Sequence, residues 1–378
     1  MVVLDACGVG ALPDAADYGD AATDTLGHLA EAQGGLRLPT LQRLGLGSIV
    51  DLLGVPPSPG PVLHGRLHPL GPGKDSTAGH WELMGVVATT PAPTYPHGFP
   101  DQVVAALSAA MGRRVICNAA YNGIAAIADF GTEHLRSGDL ILYTSQDSVL
   151  QLAAHVDRVS PQALYGACAA ARAVMDGPHA VGRVIARPFT GAAGAFQRTP
   201  GRKDFALVPP TRSHLQELGD AGVAVHTVGK VSDLFAGVGI DVAHPAPTNA
   251  TAIAAVSTLL GELEPKLVFA NLVDTDQVHG HRHDADGFHA ALRVIDTAVA
   301  GWLGLLGPGD LLILTADHGC DVTTPGFDHT REYAPLLALF AGHGTRRHDG
   351  PLADVGASVL RWLTGHDATD LPGSSFVE

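Results

Sequence analysis

Residues 311–319 read Leu-Leu-Ile-Leu-Thr-Ala-Asp-His-Gly, an apolar run that ends in an aspartate and a histidine. The run predicts a buried strand over residues 311–315, with Asp317 and His318 just beyond its carboxyl end. A charged pair beside a buried strand needs a partner. Ligands in α/β sheets collect at this end of the strands. The segment therefore predicts a parallel sheet with a functional site along one edge.

Apolar runs of the same kind recur along the chain and alternate with helix-like segments. This alternation is typical of an α/β fold. Prolines cluster in residues 89–100 and again in residues 207–211. We predict hinges there, with a catalytic core formed by residues 1–90 and 212–378 and an inserted cap of residues 91–211. The predicted strands are residues 1–4, 114–117, 140–143, 181–186, 223–227, 267–272 and 311–315, and the predicted helices are residues 23–32, 78–86, 100–111, 161–175 and 287–306.

Composition narrows the classes of function. The chain has 378 residues, 46% of them apolar, and a net charge of −15. Such a charge argues against nucleic acid or an anionic membrane as partner. No uncharged apolar stretch approaches 18 residues, and residues 1–4 lack the features of a signal peptide. The four cysteines are scattered, which fits a reducing cytoplasm. We therefore expect a cytoplasmic protein with no obligate protein partner.

Three places in the sequence combine carboxylate and imidazole groups or end a strand with a carboxylate. Asp5 follows the first predicted strand, residues 271–281 contain aspartates and histidines, and Asp317 and His318 are followed by His329, eleven residues after His318. Mixed carboxylate and imidazole ligands suit manganese, zinc or iron better than calcium. Because the chain has 20 histidines, some of these positions could be coincidental. Their clustering at strand ends favours a two-metal site, which clamps both oxygens in a phosphoryl displacement.

Residues 73–82, Gly-Lys-Asp-Ser-Thr-Ala-Gly-His-Trp-Glu, suggest a nucleophile. Ser76 opens a predicted helix, and helix N-termini favour anions. A metal would lower the pKa of its hydroxyl and activate it. The alternative is an ordinary N-cap formed by Asp75, Ser76 or Thr77. From spacing alone, Thr77 is also a rival nucleophile.

Together these motifs resemble the phosphopentomutases of the alkaline phosphatase superfamily, and the likeness runs nearly end to end. The segments that carry it are residues 3–5 with 13–15, 73–76 with 79–82, 143–151, 182–189, 229–233, 271–274, 315–319 and 371–376. The resemblance implies an alkaline-phosphatase-like α/β core, with a parallel-type sheet flanked by helices, and an inserted α/β cap. It also implies two Mn²⁺ ions and a bisphosphate sugar activator.

The resemblance further implies roles for individual residues. One Mn²⁺ would be held by Asp276, His281 and His329, and the other by Asp5, Asp317, His318 and the Ser76 hydroxyl. Sugar contacts would come from Ser145, Asp147 and Val149, and phosphate contacts from Arg187, Arg202 and Lys230. Residues 183–203 carry five basic side chains and no acid, which supports a phosphate-binding cap.

The expected activity is interconversion of (deoxy)ribose 1-phosphate and 5-phosphate through a phosphoenzyme and a 1,5-bisphosphate. Ser76 would be the nucleophile, and Lys74 would neutralise developing charge. Cys320 and residues 118–124 depart from the family pattern. These departures keep open a related mutase or a phosphatase acting on a different or modified phosphosugar. A rival from another class is a non-catalytic protein that binds a metal or senses a sugar phosphate.

Overall fold

The computed structural model describes residues 1–58, 62–145, 148–262, 264–326, 328–341 and 346–377. Its strands, in chain order, are β1 Val2–Leu4, β2 Leu63–His68, β3 Val115–Ala120, β4 Leu140–Thr144, β5 Val149–His155, β6 Arg183–Thr190, β7 Gln197–Arg198, β8 Lys203–Ala206, β9 Ala224–Val228, β10 Val242–His244, β11 Lys266–Leu272, β12 Leu312–Thr315, β13 Ala334–Leu339, β14 Arg346–Arg347 and β15 Gly350–Pro351.

The α-helices, in the same order, are α1 Thr25–Ala32, α2 Pro39–Arg43, α3 Leu46–Ile49, α4 Ser76–Leu83, α5 Asp101–Met111, α6 Gly123–Ser137, α7 Pro161–Val174, α8 His214–Asp220, α9 Val231–Leu234, α10 Asn249–Leu260, α11 Ala285–Leu303 and α12 Ala353–Thr364. Short 3₁₀ turns cover Ala15–Tyr18, Gly177–His179 and Gly280–Arg282, and one π-helical turn covers Thr275–His279.

The chain divides into two compact units. One combines Met1–Thr90 with Pro209–Glu378, and the other is Pro91–Val208. The chain passes from one unit to the other after Thr90 and again after Val208, within the two proline-rich segments expected to be hinges. The second unit therefore ends three residues before the predicted boundary at 211. The roles of the units as catalytic core and cap remain predictions.

The larger unit is built on a sheet whose strand order is β10-β9-β11-β1-β12-β13-β2-β14, with β15 also paired to β2. Strands β10, β9, β11, β1 and β12 run parallel to one another. Strand β13 runs antiparallel to both β12 and β2. The end of β12 and the end of β2 therefore lie beside the beginning of β13, at the same edge of the sheet as the ends of β1 and β11.

Helices cover the larger sheet in two groups. Helices α10 and α11 pack on each other, and a hydrogen bond from Trp302 Nε1 to Ser257 Oγ, 2.9 Å long, joins them. Helices α4, α8 and α12 form the other group, and both α10 and α12 contact β11. Helix α10 begins at a capping box, in which the Thr248 hydroxyl accepts a hydrogen bond from the Thr251 amide.

The smaller unit has its own sheet, of order β3-β4-β5-β6-β7, with β8 paired to β6. Its strands bury apolar side chains on both faces. One face packs with α5 and α7 around Leu142 and Leu152, and the other packs with α6 around Tyr143 and Phe189. Strands covered on both sides read as continuous apolar runs, which is why β4 was visible in the sequence.

The predicted α/β fold with sheets flanked by helices is confirmed. Each predicted strand and helix coincides with an observed element, with ends that differ by a few residues. Strands β2, β5 and β13 were not predicted, and β13 makes the larger sheet mixed rather than fully parallel. Across the residues that the structure describes, no helix combines the length and the apolar character needed to cross a membrane.

Two glycines should respond oppositely to substitution by alanine. Gly166 lies exposed within α7, and a Cβ there would meet no atom within 4 Å. Gly166→Ala should therefore stabilise the chain by about 0.5–1 kcal/mol through helix propensity. In β2, a Cβ on Gly65 would lie 1.7 Å from the His348 carbonyl oxygen, so Gly65→Ala should lower the free energy of unfolding of the chain. Denaturant unfolding of both variants measures this difference; equal effects would contradict the packing described for β2.

Stability should also fall in mild acid because His134 is buried in a neutral form. Its Nδ1 lies 2.7 Å from the Asp139 carbonyl oxygen, and its Nε2 accepts a 2.9 Å hydrogen bond from the His155 amide. Burial lowers the pKa of His134 from 6.5, so the unfolded chain binds this proton more tightly. The contribution of neutral His134 to the free energy of unfolding is complete above pH 6.5, and it is lost as the pH falls through the lower pKa of the folded state. His134→Gln should flatten the acid side of the stability profile, whereas the exposed control His366→Gln should leave it unchanged.

Candidate metal centre and nucleophile

Asp5, Asp317 and His318 meet at the carboxyl ends of two adjacent strands, β1 and β12. One ligand atom from each lies within 4.8 Å of the others. His318 Nε2 is 3.5 Å from Asp5 Oδ1 and 3.3 Å from Asp317 Oδ2. The other ring nitrogen, Nδ1, is 3.1 Å from the Gly319 carbonyl oxygen. A histidine that donates from one nitrogen to a carbonyl presents the other nitrogen to a metal.

Asp276, His281 and His329 form a second group with the same spacing. Asp276 Oδ1 lies 3.4 Å from the Nε2 atoms of both histidines. Those two nitrogens are 3.2 Å apart, while the ring centroids are 4.9 Å apart, so the rings converge on a common point. This arrangement fits a cation held at about 2.1 Å from each nitrogen.

Local backbone structure explains how the second group forms. Asp276 lies in the π-helical turn after β11, and His281 lies in the 3₁₀ turn that follows. π-Helical turns are rare and often occur at functional sites. The Thr275 hydroxyl donates a 2.7 Å hydrogen bond to the Asp5 carbonyl oxygen, which ties this turn to the first group. The rings of His318 and His329 stack with centroids 3.8 Å apart, so the two groups are neighbours.

The electrostatics of both groups favour cations. Burial and the neighbouring Asp317 carboxylate raise the pKa of Asp5 to about 8. Burial alone would lower the pKa of His318, yet Asp317 outweighs it and raises that pKa to about 10. Asp5 Oδ1 is buried and accepts no hydrogen bond from the described residues. Buried carboxylate oxygens without donors, beside imidazole nitrogens, are the donor set that a divalent metal requires.

Ser76 lies at this edge of the sheet because β2 ends there. The serine is the first residue of α4, and the preceding Asp75 is the N-cap, accepting hydrogen bonds from the amides of Thr77 and Ala78. Capping is thus done by Asp75, which leaves the serine hydroxyl available. Its Oγ lies 3.1 Å from His318 Nε2.

Lys230 is the cation next to the serine. Its Nζ donates a 2.8 Å hydrogen bond to Ser76 Oγ and also pairs with Asp5 Oδ2. Burial alone would lower the pKa of Lys230, but the Asp5 and Asp317 carboxylates outweigh it and raise that pKa. The ammonium group therefore stays charged beside the hydroxyl.

His80 was missed by the sequence analysis although it lies in the quoted segment 73–82. Its Nδ1 is 3.1 Å from Asp317 Oδ2 and 2.9 Å from the Ser76 carbonyl oxygen. The adjacent Gly79 allows this approach, because a Cβ there would lie 2.3 Å from the Asp317 carbonyl oxygen. The glycine–histidine pair, at one helical turn from the serine, was the signal that α4 packs on the loop that carries the candidate metal ligands Asp317 and His318.

Comparison with known proteins agrees with this geometry. Residues 1–365 match the model of the Metalloenzyme superfamily. The chain is 48% identical to the phosphopentomutase of Anaeromyxobacter sp. over 370 residues, which cover 96% of this chain and 94% of that protein. It is 44% identical to the phosphopentomutase of Caldanaerobacter subterraneus, covering 95% and 92% of the two chains.

The chain belongs to the phosphopentomutase family. The family predicted from the sequence is thereby confirmed, as is membership of an enzyme family. The fold is shared with more distant structures. One is the PH0037 protein of Pyrococcus horikoshii, with a TM-score of 0.51, 14% identity and 97% of each chain covered. Another is phosphoglycerate mutase of Leishmania mexicana, with a TM-score of 0.50, 13% identity and coverage of 99% of this chain and 96% of that one.

The structure also locates the other predicted site residues. Lys74 Nζ is 3.0 Å from Asp20 Oδ2 and 3.6 Å from Asp328 Oδ2, so the lysine pairs with acids rather than with the serine. The catalytic role predicted for Lys74 remains a prediction, and Lys230 is the lysine found at the hydroxyl.

In the smaller unit, three predicted substrate residues lie in strands or directly after one, and Arg187 lies within β6. Ser145 follows β4 and Val149 begins β5. Arg187 Nε donates a 3.1 Å hydrogen bond to Gln151 Oε1, and burial together with Arg202 lowers the pKa of Arg187 to about 10. Arg202 makes two hydrogen bonds to the Asp204 carboxylate, at 2.7 and 2.6 Å. The predicted sugar ligand Asp147 lies outside the described residues.

The two candidate metal sites can be tested separately by counting bound ions. With Mn²⁺ as the probe, the metal-stripped wild-type chain should bind two ions per chain in equilibrium dialysis. Asp276→Asn and Asp317→Asn should each lose one ion, because each removes a buried charge from a different group. Asp284→Asn, which alters an acid paired with His279 outside both groups, is the control and should still bind two. Retention of two ions by either ligand variant would contradict the corresponding site.

Proposed function

We propose that this phosphopentomutase family member interconverts ribose or deoxyribose 1-phosphate and 5-phosphate by passing a phosphoryl group through Ser76. The observation that carries the proposal is the position of Ser76 Oγ, within 3.1 Å of His318 Nε2 and 2.8 Å of Lys230 Nζ. A hydroxyl freed from capping and placed beside a candidate metal ligand and an ammonium group has the surroundings of an activated nucleophile.

The transfer takes place in two displacements. In the first, the C1 oxygen of ribose 5-phosphate attacks the phosphorus of phosphorylated Ser76, the P–Oγ bond breaks, and the proton of the sugar hydroxyl leaves. The product is the 1,5-bisphosphate. In the second, Ser76 Oγ attacks the phosphorus of the C5 phosphate, the bond between that phosphorus and the C5 oxygen breaks, and the C5 oxygen takes up a proton. Ribose 1-phosphate leaves and the serine is again phosphorylated. A bisphosphate sugar activator would supply the first phosphoryl group.

Charge neutralisation explains why the chain places Lys230 at the hydroxyl. Negative charge accumulates on the transferring group and on the serine oxygen during each displacement. The Lys230 ammonium, 2.8 Å from Oγ, would stabilise that charge without reorganisation. We propose Lys230 as a phosphate contact for this reason.

The two carboxylate–imidazole groups would hold Mn²⁺. Asp276, His281 and His329 would hold one ion, and Asp5, Asp317, His318 and Ser76 Oγ the other. When bound, the ions would lower the pKa of the serine hydroxyl and offset charge on the phosphoryl oxygens. His80 and Gly319 would keep Asp317 and His318 oriented toward that position through the contacts described above.

The smaller unit would bind the sugar and its distal phosphate. Ser145, Asp147 and Val149 would contact the sugar, and Arg187 and Arg202 the phosphate. Tyr143 supports this role. Its side chain is fully buried, and burial raises its pKa, while the nearby Arg187, Arg198 and Arg202 offset part of that rise. Three guanidinium groups around one phenol concentrate positive charge in a chain whose net charge is −15.

A different or modified phosphosugar is the second candidate substrate. Two consecutive residues of β3, Cys117 and Asn118, have φ values of 79° and 47°, where the pairing with β4 shifts register. Such strain in residues other than glycine often marks a functional site. It falls at the start of the segment that departs from the family pattern.

Turnover of ribose 5-phosphate tests the proposal. With Mn²⁺ and a catalytic amount of glucose 1,6-bisphosphate, phosphorus NMR should show ribose 1-phosphate. Ser76→Ala should lower the rate by at least about 1000-fold, since it removes the nucleophile. Thr77→Ser, which leaves a hydroxyl at the next position, is the matched control and should keep most activity. Release of inorganic phosphate instead would indicate a phosphatase, and no change in the sugar would indicate another substrate or a binding role.

A further inference from the structure

The guanidinium of Arg331 is buried and almost completely used in hydrogen bonds. The residue is 5% exposed. Nε and Nη2 donate to the Asp14 carboxylate, with the shortest distance 2.9 Å. Nη1 donates to two main-chain oxygens, those of Gly71 at 2.9 Å and Gly73 at 2.7 Å. Both acceptors belong to residues 70–74, the nucleophile loop, which joins β2 to the N-cap of α4.

Two other side chains, Tyr18 and Glu82, hold further polar groups of the nucleophile loop. The Arg331 guanidinium stacks over the Tyr18 ring, with its Cζ 5.0 Å from the ring centroid. The Tyr18 hydroxyl donates a 2.9 Å hydrogen bond to the Pro72 carbonyl oxygen. The buried Glu82 carboxylate accepts from the amides of Leu70 and Gly71, at 2.5 and 2.8 Å. Three consecutive carbonyls of the loop are therefore held, and Arg331 holds two of them.

The main chain of Arg331 is tied to the candidate metal ligands. His329 lies two residues earlier, and Thr330 exchanges main-chain hydrogen bonds with Gly319, the neighbour of His318. The Arg331 amide donates a 2.9 Å hydrogen bond to Asp20 Oδ2, the atom that also pairs with Lys74. One residue thus connects the segment that carries His329 to the loop that carries the nucleophile.

We propose that Arg331 is a positioning residue that sets the distance between Ser76 and the imidazoles of His318 and His329. The proposal rests on Ser76 being the nucleophile. A guanidinium presents five donors in a fixed plane, so it can hold Asp14 and two carbonyls at once. A lysine ammonium at the same place would keep the charge but could not reproduce this geometry.

Arg331→Lys tests the proposal because it preserves charge and removes the planar fork. We expect kcat for ribose 5-phosphate to fall about 100-fold, as for a misplacement of about 1 Å at a reacting group. KM should change less than about twofold, since the buried guanidinium is already engaged by Asp14 and the nucleophile loop. Dialysis should still find two Mn²⁺ ions per chain. A milder variant, Tyr18→Phe, keeps the ring and removes one loop contact, and kcat should fall about threefold to tenfold.

Arg66→Lys is the matched control. The Arg66 guanidinium lies 4.7 Å from the ring centroid of Tyr333, which follows Arg331 by two residues. Among the described residues, the Arg66 side chain makes no hydrogen bond to the nucleophile loop. This variant should keep wild-type kcat. An equal loss of kcat in Arg66→Lys and Arg331→Lys, at matched loss of thermal stability, would overturn the proposal. Wild-type kcat in Arg331→Lys would also overturn it, whatever the result for Tyr18→Phe.

Ser76→Ala, assayed in parallel, separates the two hypotheses. If it stays active, the nucleophile assignment fails and the positioning role fails with it. If it is inactive while Arg331→Lys turns over at the wild-type rate, only the positioning role is wrong.

Discussion

Three carboxylates, those of Asp5, Asp276 and Asp317, are buried together at the carboxyl ends of neighbouring strands, and much of the larger unit is arranged around them. Removing like charges from water is costly unless cations accompany them. The chain supplies cationic or metal-binding partners in His318, His329 and Lys230. Burial and mutual repulsion raise the pKa of Asp5 to about 8, which shows how strongly this edge of the sheet attracts positive charge. A divalent cation bound there would neutralise these buried carboxylates.

The strand order explains why one edge can collect so many functional groups. Parallel strands β11, β1 and β12 bring the aspartates together, because all three end on the same side. The antiparallel strand β13 begins at that edge, which delivers the segment containing His329 and Arg331 just before it. Strand β2, antiparallel to β13, ends there and delivers the loop leading to Ser76. A fully parallel sheet would have brought these last two segments to the edge only with longer connections.

The surroundings of Ser76, the proposed nucleophile, illustrate how neighbouring residues divide their tasks. Asp75 caps α4, so the hydroxyl of Ser76 is left to face His318 and Lys230. Gly79 lets the helix approach the Asp317 main chain, and His80 contacts the Asp317 carboxylate. The helix therefore serves as a rigid support that fixes both the proposed nucleophile and a candidate metal ligand.

The sequence by itself determined the α/β fold, the family and the residues of the two candidate metal groups. Apolar strands that end in aspartate and histidine are a local signal, and the chain repeats it. The sequence did not reveal β13 or β2, whose pairing depends on strands distant in sequence. Nor did it separate Ser76 from Thr77 or from a simple cap, since that depends on which side chain faces His318. Only the tertiary structure decided that Lys230, rather than Lys74, lies at the Ser76 hydroxyl and that Arg331 joins residues 70–74 to the segment that carries the candidate metal ligand His329. These contacts join residues 154 to 260 positions apart in the chain, and no local pattern of residue types encodes such distances.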